Sequence, residues 1–533
     1  MDDAILTAIT AHHSIDAHQQ ENISRLIRLS NTFSKRIYVE SVGTDIGDPK
    51  KTCVLECGHQ PNFLPHSATW KKAFFLKWLC KKVESRNLEP VAFFGFADQN
   101  ISTARLLTKN QILESNKNGF VKIGFKIKNE NKMRSFRFTE KPPIDQWEAE
   151  IGRIRRHYLD LSEKTRFKEE NVSGQREKIL EIMWSSYEIA NNFPELNAVI
   201  FTRICREILD INLVFFLYSD IHRNSLFLEE SKKILEKLPQ FNRVYNDEIN
   251  SKQLDIPEIQ QNRLPFWYEC TCGMKLDLLM ENEGMCRISC PACGAEKTLD
   301  FGNSFENIHN FYRNMDFNGV SRNIIMAEGL GDSVFITGTG GSLVYGRISD
   351  TLSETLGFHR PVILAWQSKD FYVGMMQKIV IRDLMKTFSL EPGDFSQNIA
   401  KKKIEKKLDE IAANLQNSIT RERQQEIRYW SGVQNSANNL IASSRNFFCA
   451  TPSFIDILSN YTSNTIIKIW ERAIETSEFQ EHGYVYRAHA DTSYPGIFYQ
   501  EICTSVFPDL LESKKIPEDP HDNKSSDCQS SYR

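Results

Sequence analysis

The spacing of apolar residues changes several times along the chain, and each change marks an element. From the start to about residue 48 the spacing is helical, with Ile23, Leu26, Ile27 and Leu29 forming a stripe that ends in a Gly/Asp-rich turn. Cys53 to Cys57 then reads as a short apolar strand, and Gly58-His59-Gln60-Pro61-Asn62 as a loop. From about Ala68 to Glu84 a helix is predicted with Trp70, Phe74, Phe75, Trp78 and Leu79 on most of its sides, the pattern of a buried helix. Val91 to Phe96 is a second strand, stopping at Asp98-Gln99-Asn100. Strand, helix and strand in that order predict parallel βαβ construction.

Further on, residues 117–139 alternate weakly (Val121, Ile123, Phe125, Ile127), which predicts a β-excursion. Residues 144–248 read as helix-rich, broken at Pro194 and Pro239. After a cysteine-rich insert, Ser333 to Thr337 is a strand, Gly338 to Ser342 a tight turn opening a helix, and Pro361 to Trp366 a further strand. Ile404, Leu408, Ile411, Leu415 and Ile419 fall at near-heptad spacing between Lys401 and about Tyr429, predicting an antiparallel coiled coil or long helical hairpin. The end is Ser/Asp/Lys-rich without apolar period, as in disordered tails.

The expected fold is therefore α/β, with a parallel-sheet core, an inserted cysteine lobe and a C-terminal helical arm. The implied boundaries are an N-terminal helical segment at 1–48, the first part of the core with its helices at 49–262, and the insert at 263–302. The second part of the core spans 303–398, the helical and coiled-coil C-terminal region 399–511, and the tail 512–533.

Composition narrows the class rather than the function. With 533 residues, 41% hydrophobic and 25% charged, the chain is an ordinary multidomain globular protein. A net charge of −3 gives no global basic footprint for nucleic acid. No apolar run approaches a bilayer span and no signal peptide is recognisable, so a cytoplasmic protein is expected.

The cysteines change that picture. Seven of the twelve are scattered, while five crowd between Glu269 and Gly294. Cys270-Thr271-Cys272-Gly273 and Cys290-Pro291-Ala292-Cys293-Gly294 read as two knuckles, each presenting two thiolates from a glycine-containing turn. Seventeen residues between Cys272 and Cys290 suffice for a hairpin that brings the pairs together. Four thiolates in a closed tetrahedral shell suit structural Zn²⁺, which makes the insert a zinc ribbon. Cys286 lies outside both knuckles and reads as a bystander.

Ligands of parallel sheets bind outside the carboxyl ends of the strands, and four such ends here finish in polar residues. The first offers Gly58, His59, Gln60 and Asn62, with His66 and Lys71 across the turn; the second Asp98, Gln99 and Asn100. The third offers Gly338, Gly340, Gly341 and Ser342, then Tyr345; the fourth Gln367, Ser368, Lys369 and Asp370. A glycine turn entering a helix leaves N–H groups free for phosphate or carboxylate. It is neither a Walker A loop nor a GxGxxG turn, and N-capping with close helix–sheet packing accounts for it equally. His59 and Asp98 are the acid–base candidates because both stand at strand ends.

Several of these segments together resemble one family, the cysteine-adding enzymes of bacillithiol synthesis (BshC). Gly58 to Leu64 followed by Lys71 is similar to that family's Gly-Gln-Gln-Pro-Gly-Leu-Phe loop and downstream lysine. Pro90 to Asn100 is similar to its Pro-Val-Phe-Trp strand and acidic cluster. Gly338 to Tyr345 and Gly357 to Leu364 are similar to its glycine turn and Gly-x-x-x-Pro-Val strand. The resemblance implies a nucleotide-binding core of the class I aminoacyl-tRNA synthetase type and an amide-forming activity. Cysteine or another amino acid would be joined to an amine-bearing small molecule, with ATP or another nucleotide as activator. Departures occur at His59 for glutamine, at Ser342 for glutamate, around Trp366-Gln367 for arginine, and at an acidic cluster reduced to Asp98. They imply a retained core with a changed substrate. The segment Tyr484 to Gly496 is outside the resemblance.

Two other classes stay open. A synthetase-like core with a zinc ribbon could serve tRNA or another RNA, although Lys401-Lys402-Lys403 reads more simply as a solvated helix face. A non-catalytic scaffold could keep the fold and form a homodimer through the coiled coil.

Overall fold

The computed structural model describes residues 3–11, 15–37, 46–101, 105–126, 133–282, 284–338, 341–397, 399–494 and 506–507. Helices Asp3–Ala11 and Ala17–Arg36 open the chain. The second is started by a capping box, in which Asp16 accepts the Gln19 N–H and the Gln19 side chain accepts the Asp16 N–H. β1 (Thr52–His59) leads through helix Ser67–Glu84 into β2 (Glu89–Phe96). A hairpin of β3 (Lys109–Leu113) and β4 (Phe120–Gly124) comes next, then helices Ile144–Thr165, Glu170–Ile189 and Phe193–Glu207, and then β5 (Val214–Leu217). β6 (Arg263–Glu269), β7 (Lys275–Asn282), β8 (Met285–Ser289), β9 (Glu296–Asp300) and β10 (Met315–Phe317) make a separate five-stranded sheet with antiparallel pairing throughout. Helix Gly319–Leu330 returns the chain to β11 (Asp332–Ile336), helix Gly341–Leu356 and β12 (Val362–Phe371). After the helical hairpin Ala400–Thr420 and Gln424–Cys449, β13 (Phe479–His482) and β14 (Val485–Ser493) follow.

The main sheet has seven strands in the order β13-β14-β12-β11-β1-β2-β5. Every neighbouring pair is parallel except β13 with β14. From the middle, β1, β2 and β5 step one way while β11, β12 and β14 step the other, so the strand order reverses between β1 and β11.

Strands buried on both faces read as continuous apolar runs, and these do. Cys53, Leu55, Cys57, Phe94, Phe215 and Ile336 share one core with helix Ser67–Glu84. Val54, Phe93 and Phe216 share another with helices Ala17–Arg36 and Gly319–Leu330. A third, small cluster of Phe335, Leu343, Ile363, Ala365 and Val485 lies under the start of helix Gly341–Leu356. Close approach fixes one glycine: a Cβ on Gly95 would stand 2.5 Å from Tyr218 Cε2 and 2.6 Å from Phe216 Cζ.

The structure departs from the sequence reading in several places. β1 runs on through Gly58 and His59, so the loop starts at Gln60. Val214–Leu217, inside the stretch read as helical, is a core strand; four residues buried on every side carry no period to separate strand from helix. The excursion begins earlier than expected, at Lys109, and part of it (127–132) lies outside the described residues. The cysteine lobe extends past residue 302 to β10. β12 continues through Gln367, Lys369 and Asp370 because β14 pairs along its whole outer part. The C-terminal region is therefore not all helical, since β13 and β14 complete the core sheet. In the hairpin, Ile404 and Ile411 are buried as predicted, but Ser418 takes the next seam position and Ile419 is 46% exposed. The tail from 512 lies outside the described residues. Among them, no helix is long and apolar enough to cross a membrane.

Gly95→Ala should lower the unfolding free energy by about 1–3 kcal/mol, because both rings it would meet are locked in the core. Gly152→Ala, in a helix interior with nothing within 4 Å of the new methyl group, should raise it by about 0.5–1 kcal/mol. Urea titration of both variants checks the pair.

Candidate functional site

Parallel strands carry their carboxyl ends to one edge of the sheet, and loops diverge there wherever the strand order reverses, leaving a crevice. Here that reversal falls between β1 and β11. Cys57 pairs with Ile336 in parallel register, so Gly58 and His59 reach the edge beside Thr337 and Gly338. The two stretches expected to share a ligand thus meet at adjacent strand ends. Gly341 and Ser342 open the helix that follows, while Gly340 and the Ser342 side chain lie outside the described residues.

His59 is half-buried. Its Nδ1 lies 2.8 Å from the Gln60 carbonyl oxygen, which can only accept, so Nδ1 carries the ring proton. Nε2 then presents its lone pair to the Thr69 hydroxyl at 3.3 Å. Burial, reinforced by the Lys72 charge, pushes the pKa of His59 down to about 3. At neutral pH the ring is an uncharged acceptor and cannot serve as an imidazolium acid.

Lys71 and Lys72 part company. Lys71, expected beside the ligand, is fully buried in an ion pair with Asp370 and donates to Thr492 Oγ1 at 2.9 Å. The rings of Trp366 and Trp470 lie 5.9 and 6.0 Å from its Nζ. The place at the crevice goes to Lys72, whose Nζ stands 3.5 Å from the Gly58 carbonyl oxygen. Burial pushes the Lys72 ammonium below its usual range, and the charge of Arg322 adds to the effect.

Arg322 reaches β1 from the other face of the sheet. It sits in the first turn of helix Gly319–Leu330, with its guanidinium 5.0 Å from the centroid of the Tyr218 ring. The Tyr218 hydroxyl donates to Glu56 at 2.7 Å, and the ring closes against Gly58 and Gly95. Among the described residues, neither Lys72 nor Arg322 forms an ion pair with a carboxylate. Two cations therefore straddle the end of β1. The sequence reading named neither; Arg322 lies in the first turn of its helix and Lys72 in the second turn of helix Ser67–Glu84.

The remaining candidates divide. Both oxygens of Asp98 are engaged by Ser219, whose N–H donates to Oδ1 at 3.0 Å and whose hydroxyl donates to Oδ2. Burial raises the Asp98 pKa to about 6, with the two Ser219 bonds pulling against it. In this arrangement Asp98 ties β2 to the turn after β5. Gln99 Oε1 and Asn62 Oδ1 are buried without a hydrogen-bond partner. Gln60 remains half-exposed at the loop start. Tyr345 is 37% exposed and packs against Gly319, beside the helix turn that carries Arg322.

The four cysteines of the two knuckles come together as predicted. The sulfurs of Cys270, Cys272, Cys290 and Cys293 all lie within 4.8 Å of one another, with Cys270–Cys293 at 3.6 Å and Cys272–Cys290 at 3.5 Å. These separations are too long for disulfides, whose sulfurs lie about 2.05 Å apart. They fit four thiolates about one ion such as zinc, where bonds of about 2.3 Å put the sulfurs about 3.8 Å apart. Cys286 is buried in the apolar core of the lobe and takes no part.

The first knuckle is also tied to the crevice. The Gly273 carbonyl accepts the Ser135 N–H at 2.8 Å, and the next residue, Phe136, donates its N–H to the Asn100 carbonyl at 2.6 Å. Ser135 Oγ donates to the Gln99 carbonyl at 3.3 Å. Gly273, at φ +90°, lies over the Phe138 ring, where a Cβ would come within 2.6 Å. The end of β2 and the cysteine cluster are thus joined through one short strap.

No family model matches the chain, and no curated protein matches it. Among solved structures, a Campylobacter jejuni chain proposed to be an arginyl-tRNA synthetase aligns with 84% of this chain and 98% of its own. The identity is 11% and the TM-score 0.23, and a likeness that low carries no argument.

The His59 geometry predicts a pH effect. A folded pKa near 3 against an ordinary value of 6.5 means that the native state binds fewer protons than the unfolded one between those limits. This residue therefore costs stability progressively as pH falls from about 6.5 toward 3. His59→Gln should remove that part of the acid sensitivity, so urea midpoints of wild type and variant should diverge between pH 7 and pH 5. Parallel slopes would contradict the assignment.

Proposed function

We propose that the crevice between β1 and β11 binds the phosphates of a nucleotide, and that the chain is an amide-forming ligase akin to the cysteine-adding enzymes it resembles. What carries the reading is the placement of Lys72 and Arg322: two cations from opposite faces, neither in an ion pair among the described residues although the charge of Arg322 acts on buried Glu56, beside Gly338 at the reversal of a parallel sheet. A desolvated cation pair of this kind favours a polyanion, and the helix opening at Gly341 adds N–H donors.

Amide formation from a free carboxylate is uphill, and the nucleotide would supply the activation. A carboxylate oxygen attacks the α-phosphorus and expels pyrophosphate, giving a mixed acyl–phosphate anhydride. The amine then attacks the acyl carbon, and the phosphate-bearing group leaves with the C–O electron pair. Lys72 and Arg322 would hold charge on the phosphates through both steps. Neutral His59, with Nε2 as acceptor, would orient the amine by accepting one of its hydrogens. Zinc in the four-cysteine cluster would be structural, fixing the strap on Asn100.

A second reading, a ligand-binding scaffold without turnover, draws support from Asp98, whose two oxygens are already occupied. The RNA reading draws less, since Lys403 pairs with Asp394 at 2.7 Å and Lys407 with Glu410 at 3.2 Å.

Calorimetry with ATP tests the binding claim. Lys72→Met and Arg322→Met should each weaken ATP by about 10–100-fold, the loss of one charge-assisted contact of about 1.5–3 kcal/mol. Undetectable ATP binding by the wild type would end the ligase proposal. ATP binding without consumption in the presence of amino acids and amines would favour the scaffold. Separately, the purified chain should carry one zinc by elemental mass spectrometry, and Cys272→Ser with Cys290→Ser should carry none and melt at lower temperature.

A further inference from the structure

Three strands away from β1, on β14, stands another cation that has no ion-pair partner among the described residues. Arg487 is 6% exposed, its Nε is buried without a hydrogen bond, and it forms no ion pair among the described residues. Buried guanidinium groups are almost always paired, because a charge withdrawn from water must be compensated. Two more-exposed arginines close to helix Gly341–Leu356 are paired: Arg347 with Glu248 at 2.8 Å, and Arg360 with Asp350 at 3.0 Å.

The surroundings of Arg487 follow from the sheet register. Val485, two residues earlier and on the same face, packs with Leu343 in the first turn of helix Gly341–Leu356. The Tyr484 hydroxyl donates to the Leu343 carbonyl and fixes the helix start against β14. Arg487 is the next residue on that face toward the strand ends, paired across to Ala365. It therefore lies beneath the opening of the helix, where the first-turn N–H groups lack intrahelical partners. Gln367, two residues beyond Ala365 on the same face, is 4% exposed, and its Oε1 is buried without a donor. One unsatisfied cation and one unsatisfied acceptor thus sit side by side under a helix N-terminus.

We propose that Arg487, Gln367 and the first turn of helix Gly341–Leu356 form a second ligand pocket, taking a small carboxylic acid with an N–H or O–H donor next to its carboxylate, as in an α-amino or α-hydroxy acid. The carboxylate answers Arg487 and the helix N–H groups; the neighbouring donor answers Gln367 Oε1. A plain inorganic anion would satisfy the first and leave the second orphaned. This deepens the ligase reading by naming the chemistry of one substrate, but the pocket itself does not depend on the nucleotide crevice.

Binding of L-alanine, L-lactate, propionate and inorganic phosphate to the full chain, measured by calorimetry and thermal shift, tests it. L-Alanine or L-lactate should bind with an affinity on the order of millimolar, as suits so small a ligand, and at least tenfold more tightly than propionate or phosphate. Arg487→Met should abolish that binding, Arg487→Lys should weaken it by losing the planar fork, and Gln367→Leu should erase the preference over propionate. Without ligand, Arg487→Met should melt no lower than the wild type, because it removes an uncompensated buried charge; a clear fall would mark Arg487 as structural and overturn the proposal. Failure of every acid to bind, phosphate binding best, or binding unchanged in Arg487→Met would each overturn it as well. ATP titrations in parallel separate the two sites: Arg487→Met should keep ATP binding, and Lys72→Met should keep acid binding. Loss of ATP binding alone would therefore sink the nucleotide reading and leave this pocket standing.

Discussion

Everything at the functional edge depends on β1 being hydrogen-bonded in parallel on both sides, to β2 and to β11. That double pairing makes β1 the centre of the sheet and turns the chain's two halves away from each other beside it. One consequence is a crevice that neither half could make alone. Another is that helices from both faces start at the same edge, which lets Lys72 and Arg322 approach a single strand end from opposite sides. An anion between the two like charges would lower the cost of holding them near one strand end.

The four-cysteine cluster enters this scheme mechanically. Its first knuckle presents the Gly273 carbonyl to Ser135, and the adjacent Phe136 reaches Asn100 at the end of β2. A lobe whose own sheet is separate from the core is thereby registered against the strand ends. The charged layer between them is well paired, with Lys275 to Asp316 at 3.1 Å and Arg137 to buried Glu269. A metal held by the four thiolates at one end of the strap would thus fix backbone at the other.

Much of this could be read from the residues before any coordinates. The cysteine clustering was legible because two thiolate pairs on tight turns, 17 residues apart, can close on one another through a hairpin. The core strands Cys53–Cys57, Val91–Phe96 and Ser333–Thr337 were legible because turn residues bound them. β5 was not, since four apolar residues have no period, and β14 was not, since Arg487 and Thr492 break its alternation with buried polar groups. The ends of β1 and β11 do stand side by side, whereas Lys71 is buried against Asp370 and Lys72 faces the Gly58 carbonyl. Lys71 and Lys72 are adjacent on a helix buried nearly all round, so only packing decides which reaches Asp370 and which reaches Gly58. Arg322 could not be assigned either, because its role comes from a helix that precedes β11 and docks across the sheet. Arg487 is the clearest case: a charged residue in a strand is ordinarily solvent-facing, and only the added strand β14 and the helix above it put the guanidinium indoors.

The far margin of the sheet has a consequence for assembly. β13 is four residues long, runs against its neighbour, and after buried Phe479 shows only Gln480, Glu481 and His482 to solvent. A short polar margin of this kind is a poor template for a second chain's backbone, so strand-by-strand growth into larger sheets is discouraged there. The most exposed aromatic among the described residues, Tyr429 at 64%, stands elsewhere, in the second helix of the helical hairpin.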